Sequence, residues 1–223
     1  MLPRYSASAV HFLPASLPLP AFEDTLADQV TKIGKYKIVE QVGEGAMGVV
    51  YRAVDPVLNR PVAVKVMNEG LAQDEALRQR FLREAQAAGS LQHPNVVTIY
   101  DFGETDGHLF IAMEFIDGTD LERLLAAGKS IPLVAKLDII IDVLNGLAYA
   151  HRRGIVHRDI KPANFFLTRR ADGSALIKVL DFGISKANTQ VDDNLTSTQA
   201  ILGTPAYMSP EQLRSSKQVD ARA

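Results

Sequence analysis

The sequence contains no cysteine, which excludes disulfides, thiolate nucleophiles and Cys-based zinc sites together. That absence fits a reducing compartment, and a cytoplasmic location is expected. No apolar run reaches the ~20 residues that a membrane-crossing helix needs. An excess of one charge is missing too. The 24 Lys and Arg against 26 Asp and Glu leave a formal −2, which gathers neither nucleic acid nor an anionic membrane. Any phosphate or other anion site must therefore be local, built from a few placed cations and backbone amides. The first residues are apolar in character but broken by Pro3, Pro14, Pro18 and Pro20, with Arg4 as the one early cation. They match a secretory signal poorly. The chain has 223 residues, 47% apolar and 22% charged, enough to pack a core.

Residues 1–33 are rich in Pro, Ala and Ser and carry no sustained period, so they are expected to form a disordered extension. The composition changes at Gly34. Alternation from Tyr36 to Val42, the glycines Gly43, Gly45 and Gly48, and the runs Val49 to Val54 and Val62 to Met67 predict three strands of an antiparallel meander. Ala76, Leu77, Phe81, Leu82, Ala85 and Ala88 recur at helical spacing within Asp74 to Leu91. Two further strands, Val96 to Phe102 and His108 to Phe115, flank the turn Glu104 to Gly107. Helices are predicted over Leu121 to Ala127 and Val134 to Arg153, and short strands within Ile155 to Leu167 and Ala175 to Leu180. A strand-rich half (34–115) thus precedes a helix-rich half (116–223), a two-lobed α+β fold.

Several segments carry chemistry. Gly43-Glu44-Gly45-Ala46-Met47-Gly48 fits a tight hairpin as well as a phosphate cradle, but it leads into a strand where a dinucleotide fold would start a helix. That speaks against a dinucleotide-dependent oxidoreductase. Such a hairpin lays amides over phosphate oxygens, with Val42 and Val50 expected on either face of a flat ring. Period 2 places Lys65 on the same strand face as Ala63 and opposite Val62, Val64 and Val66. A lysine in a cleft needs an anion, and Glu84 is the candidate. Taken singly, Glu84 reads better as a surface charge paired with Arg80 one turn away. The strongest signal is His157-Arg158-Asp159-Ile160-Lys161-Pro162-Ala163-Asn164. It sets a base, a cation and a metal-ligating amide in one loop, the set that phosphoryl transfer requires. Asp181-Phe182-Gly183 follows the apolar run Ile177 to Leu180, so a strand ends in a carboxylate able to face Mg²⁺.

In this order the motifs, closing on Gly203-Thr204-Pro205-Ala206-Tyr207-Met208-Ser209-Pro210-Glu211, resemble the protein kinase family from about Gly34 onward. The phrasing is similar to bacterial Ser/Thr kinases of the eukaryotic-like type. The resemblance implies ATP and Mg²⁺ as cofactors and a protein Ser/Thr hydroxyl as acceptor. Asp159 would be the base, Lys161 would steady the γ-phosphate, and Asn164 and Asp181 would hold Mg²⁺. Lys65 would bind the α/β-phosphates, held by Glu84. Gly43, Glu44, Gly45, Gly48, Val42, Val50, Ala63 and Phe166 would line the nucleotide site. Met113 would be the gatekeeper, with the backbone of Glu114 and Ile116 reading adenine. Lys161 and Thr204 resemble the Ser/Thr branch. Arg158 implies a phosphorylated activation segment, with Thr196 and Thr198 as acceptors, Ser197 as a weaker choice and a kinase dimer as one route to trans-autophosphorylation. Relatives often carry a membrane span and sensor domain, so a longer parent is compatible with membrane anchoring.

Two departures from the family pattern follow. Catalytic domains of this family continue past the Ser-Pro-Glu motif with a long bracing helix and an arginine that pairs with Glu211. His157 and Phe182 are expected to stack with Ile99 and Ala88. Without that helix, the apolar faces of 134–150 and around Tyr207 are expected to be uncovered. This sets the expectation of little or no phosphate transfer by this stretch alone, and of a nucleotide- or partner-binding fragment as the alternative. Secondly, Arg169 to Ser174 lengthens the link before the Asp-Phe-Gly strand and is expected to form a surface loop.

Overall fold

A computed structural model describes residues 31–45, 48–68, 74–128, 130–182, 205–214 and 219–222. Ala46, Met47, Gly183, Thr196, Ser197, Thr198, Gly203 and Thr204, along with residues 1–30, lie outside the described residues. Six strands form one antiparallel sheet: β1 (Lys32–Ile33), β2 (Tyr36–Gly45), β3 (Gly48–Asp55), β4 (Arg60–Met67), β5 (Ile99–Thr105) and β6 (His108–Glu114). Their spatial order is β1-β2-β3-β4-β6-β5, so β5 takes the edge and β6 lies beside β4. The sheet begins before Gly34: Ile33 is buried, and β1 pairs with Tyr36 and Lys37 across the turn. A strand of two residues has no period to read.

Alternation on β4 sorts its side chains as the sequence predicts. Val62 and Val64 pack with Ala53, Phe110 and Ala112 on one face. Ala63 and Met67 join the larger core on the other, and Lys65 shares their parity. Buried Tyr36 donates its hydroxyl hydrogen to Asp101 Oδ2 on β5 at 3.0 Å. Burial first, and that hydrogen bond second, push its pKa up to about 12.

Helix α1 (Glu75–Gly89) connects β4 to β5. Asp74 caps it, accepting from Ala76 N at 2.8 Å and Leu77 N at 3.1 Å. Phe81, Ala85 and Ala88 form its buried stripe. The helix stops two residues before Leu91, where the chain turns through Ser90 to reach the core.

The second lobe holds β7 (Thr119–Asp120), α2 (Leu121–Ala126), α3 (Leu133–His151), β8 (Phe165–Arg169), β9 (Ala175–Val179) and α4 (Pro210–Arg214), the three strands ordered β7-β8-β9. Residues 170–174 make the expected surface turn. The lobes are stitched along β9. Val97 N donates to Val179 O at 3.0 Å, Val179 N to Asn95 O at 2.9 Å, and Asn95 Nδ2 to Ile177 O at 2.9 Å. At Gly146 on α3 a Cβ would fall 2.7 Å from Asn95 O, so the helix reaches this seam only with glycine there.

The opposite side of α3 is apolar and exposed. Leu133, Val134, Leu137, Ile140, Ile141 and Leu144 are 51–71% accessible, and Tyr207 is 50% accessible. This is the uncovered surface that the sequence leads one to expect. A few hundred Å² of such surface forgoes roughly 5–10 kcal/mol of burial, comparable with a domain's whole stability of ~5–15 kcal/mol.

Candidate active site

The glycine segment forms the β2–β3 hairpin, with Gly43 opposite Val50 and Gly45 opposite Gly48. Gly48 has φ +144°, and a Cβ there would fall 1.9 Å from Val66 O, so only glycine fits. At Gly43 and Gly45 a Cβ would meet nothing within 4 Å. Packing therefore does not require those two glycines, and their bare backbone stays open to a ligand. Val42 is exposed and Val50 half-buried. They lie on the two strands of one hairpin, Val50 packed against the larger core, while Phe166 is on β8 of the other lobe.

Lys65 lies between Val50 on β3 and Ile111 on β6 and is 8% exposed. Its Nζ sits 2.7 Å from Asp181 Oδ2. Glu84 is not its partner. Glu84 Oε1 accepts from Arg80 Nε at 3.1 Å, and Oε2 is buried with no hydrogen-bond partner. The physical reason is local: Arg80 stands one turn away from Glu84 on the same helix face, while buried Lys65 needs a compensating anion and the partly exposed carboxylate of Asp181 supplies it. Burial would push the Asp181 carboxyl up, but the adjacent ammonium of Lys65 holds it below the usual carboxylate range.

The loop between α3 and β8 brings three predicted residues onto one carboxylate. Asn164 Nδ2 donates to Asp159 O at 2.7 Å and to Asp159 Oδ2 at 2.9 Å. Lys161 Nζ lies 3.0 Å from the same Oδ2. Asp159 is 5% exposed and Asn164 6%. Two non-glycine residues here hold positive φ, Arg158 at +64° and Asp181 at +53°, the kind of backbone strain that gathers at functional sites. His157 ties both loops together: Nε2 donates to Leu180 O at 2.7 Å and Nδ1 accepts from Asp159 N at 3.2 Å. That pairing requires the neutral ring with its hydrogen on Nε2. Its ring centroid is 4.8 Å from that of Phe182. Phe182 in turn shares the larger core with Ala88, against which Ile99 packs, and it lines a small cavity with Ala88, Ile99, Ile111 and Met113.

With Asn164 Nδ2 committed to Asp159, its amide oxygen is the group left for a cation. Together with the Asp181 carboxylate this is a hard oxygen set that suits Mg²⁺. Among the described residues no group of three His, Cys, Asp or Glu side chains could hold a metal. A cation here would thus complete its shell with ligand or water oxygens, as Mg²⁺ commonly does.

Buried Met113 pairs with Ala63 across β4 and β6. Glu114 N donates to Thr98 O at 2.9 Å, so a base could be read at this residue only through its carbonyl. Ile116 packs half-buried against the core. Sequence reasoning missed four supporting residues: Asn95, Asp142, Lys178 and Gln212. Asp142 Oδ2 on α3 accepts from Ile177 N at 2.9 Å. Gln212 Nε2 donates to Arg158 O at 2.9 Å, while Gln212 Oε1 and Ser209 Oγ satisfy each other's backbone amides. The spacing of Ser209 and Gln212, S-x-x-Q before a short helix, is a capping-box signal that was there to be read. The other three depend on contacts between distant segments. Among the described residues, no helix is long and apolar enough to cross a membrane.

Comparison with known proteins gives a consistent result. The family model described as "Protein kinase domain" matches residues 36–223. The chain is 44% identical over 194 residues to a probable serine/threonine-protein kinase of Streptomyces coelicolor, covering 85% of this chain and 28% of that protein. It is 41% identical over 181 residues to the serine/threonine-protein kinase PrkC of Bacillus subtilis, covering 81% and 27%. A crystal structure of the Mycobacterium tuberculosis PknI kinase domain, a double mutant, matches with a TM-score of 0.71 at 36% identity, covering 89% of this chain and 73% of that one. The chain spans less than a third of the two full-length relatives.

Proposed function

The chain belongs to the protein kinase domain family, and on that premise we propose that it carries the site at which the γ-phosphoryl group of ATP passes to a Ser or Thr hydroxyl of a protein. The observation that carries this reading is the convergence of Lys161 and Asn164 on one oxygen of Asp159, with Lys65 paired to Asp181 nearby. Asp159 accepts the proton of the incoming hydroxyl as the oxygen–phosphorus bond forms and the bond to the β-phosphate oxygen breaks, releasing ADP. Lys161 offsets charge on the moving phosphoryl. Lys65 binds the α/β-phosphates under the open backbone of Gly43 and Gly45. Asn164 and Asp181 would hold Mg²⁺, which when bound supplies neutralisation of phosphate charge.

The same site would phosphorylate the chain's own activation segment at Thr196 or Thr198, within a dimer if the transfer is in trans, and Arg158 would pair with that phosphate. The exposed apolar face of α3 favours a second reading for this stretch alone, a module that binds Mg²⁺-ATP without transferring phosphate.

Incubation of the chain with Mg²⁺-ATP, followed by intact-mass spectrometry, separates the two, with Asp159→Asn as control. Phosphate on the parent at Thr196 or Thr198 but not on the variant supports transfer. Nucleotide binding with no mass gain on either supports the binding module. Failure to bind Mg²⁺-ATP contradicts both.

A further inference from the structure

One ion pair that none of the sequence motifs involves joins the two lobes beside the nucleotide site. Lys178 Nζ on β9 lies 2.7 Å from Glu114 Oε2 at the end of β6, with the lysine side chain 12% exposed and the glutamate 26%. Taking a lysine this far out of water is costly unless an anion meets it with good geometry. Glu114 is held on its other side as well. Its N–H donates to Thr98 O at 2.9 Å, and Oε2 accepts from Thr98 N at 3.4 Å. The carboxylate is thus bracketed between the segment leading into β5 and a strand of the other lobe.

The position of Lys178 gives the pair its consequence. It is the cross-strand partner of Phe166 on β8, and three residues later the chain reaches Asp181. Val179, its neighbour, is the buried residue through which β9 bonds to Asn95 and Val97. The pair therefore adds a side-chain contact to the hydrogen bonds of Asn95, Val97 and Val179 that already join the lobes, and it ties Glu114 itself to the strand that pairs with Phe166 and leads to Asp181. A flat base read by backbone groups at 114–116 needs that spacing held, because a hydrogen bond to its edge depends on both distance and alignment and a misplacement of about 1 Å is costly.

We propose that Lys178 and Glu114 form an interlobe clamp, a pair of positioning residues that sets the affinity of the site for the base of ATP rather than for its phosphates. The proposal rests on the nucleotide-site reading given above. Neither side chain touches the reacting atoms in this account. Each acts through the backbone that it holds.

The test is calorimetric titration of the chain with three probes: ATP with Mg²⁺, adenosine, and tripolyphosphate with Mg²⁺. Lys178→Met and Glu114→Gln each remove the charge pair with little change of shape. Both are expected to weaken adenosine and ATP about tenfold, as loss of a charge-assisted hydrogen bond does, and to leave tripolyphosphate unchanged. Lys178→Arg, and the exchanged double variant Lys178→Glu with Glu114→Lys, are expected to recover affinity to within about threefold. A purely structural role would weaken all three probes together and would not be rescued by the exchange, and that result overturns the proposal. Unchanged adenosine affinity in a folded Glu114→Gln variant overturns it equally, whether or not Lys178→Met folds. A parent chain that binds tripolyphosphate but not adenosine overturns the clamp alone. One that binds none of the probes overturns the nucleotide-site reading, and the clamp with it.

Discussion

Replacing His157 by Phe separates the two things this buried ring does. The aromatic contact with Phe182, 4.8 Å between centroids, is kept. The hydrogen bonds to Leu180 O and from Asp159 N are lost, and both stranded groups lie beside buried neighbours. Each costs roughly 1–3 kcal/mol, so His157→Phe is expected to destabilise by about 2–6 kcal/mol near pH 7.5, a large share of a typical domain's ~5–15 kcal/mol. The histidine also leaves a signature in pH. Burial pushes its pKa below the ordinary histidine value, outweighing the bond to Leu180 and the charges of Asp181 and Asp159. A group depressed in the folded state contributes its full share above its unfolded pKa of ~6.5 and loses it as pH falls toward the folded value. In the parent, urea denaturation followed by circular dichroism should lose stability below pH ~6.5, with up to about 1.4 kcal/mol per pH unit from this one proton. His157→Phe should be less stable at pH 7.5 and show a flatter acid limb. Some slope remains, since burial also lowers His93 and His151. A cost under ~1 kcal/mol with an unchanged acid limb refutes the argument.

Other substitutions test single links. Gly48→Ala forces a Cβ onto Val66 O and into positive φ, and should cost at least ~3 kcal/mol in denaturant, whereas Gly43→Ala should cost under ~1 kcal/mol. Asp74→Ala removes the cap on Ala76 N and Leu77 N and should cost ~1 kcal/mol, measured by the same titration. Tyr36 has a folded pKa raised to about 12, so its stabilisation is complete below its unfolded pKa of ~10 and lost between pH ~10 and ~12. Tyr36→Phe should flatten that alkaline decline.

Much of this architecture was legible because it is local. Period 2 on Val62 to Met67 and helical spacing in α1 placed Lys65, Phe81, Ala85 and Ala88 on the faces they occupy. The order of the glycine, His-Arg-Asp and Asp-Phe-Gly segments located the carboxylates before any contact was known. What escaped is non-local or too short. β1 and β7 have two residues each, below any readable alternation. The rivalry between Lys65 and Arg80 for Glu84 depends on where α1 lies relative to β4, which spacing along the chain does not encode. Here the local pairing at i+4 is the one that forms. Asn95 precedes the strand predicted from Val96 and Lys178 falls within the run Ile177 to Leu180, and only the packing of β9 between the lobes shows what they hold.

The central claim, a nucleotide site in which Asp181 and Asn164 present hard oxygens to Mg²⁺, is tested most directly by calorimetric titration of the chain with a non-hydrolysable ATP analogue, with and without Mg²⁺. The parent should bind more tightly when Mg²⁺ is present, and Asp181→Asn should lose that difference while its far-ultraviolet circular dichroism matches the parent's. Equal affinity with and without Mg²⁺ in the parent, or a full Mg²⁺ effect in Asp181→Asn, would contradict the assignment.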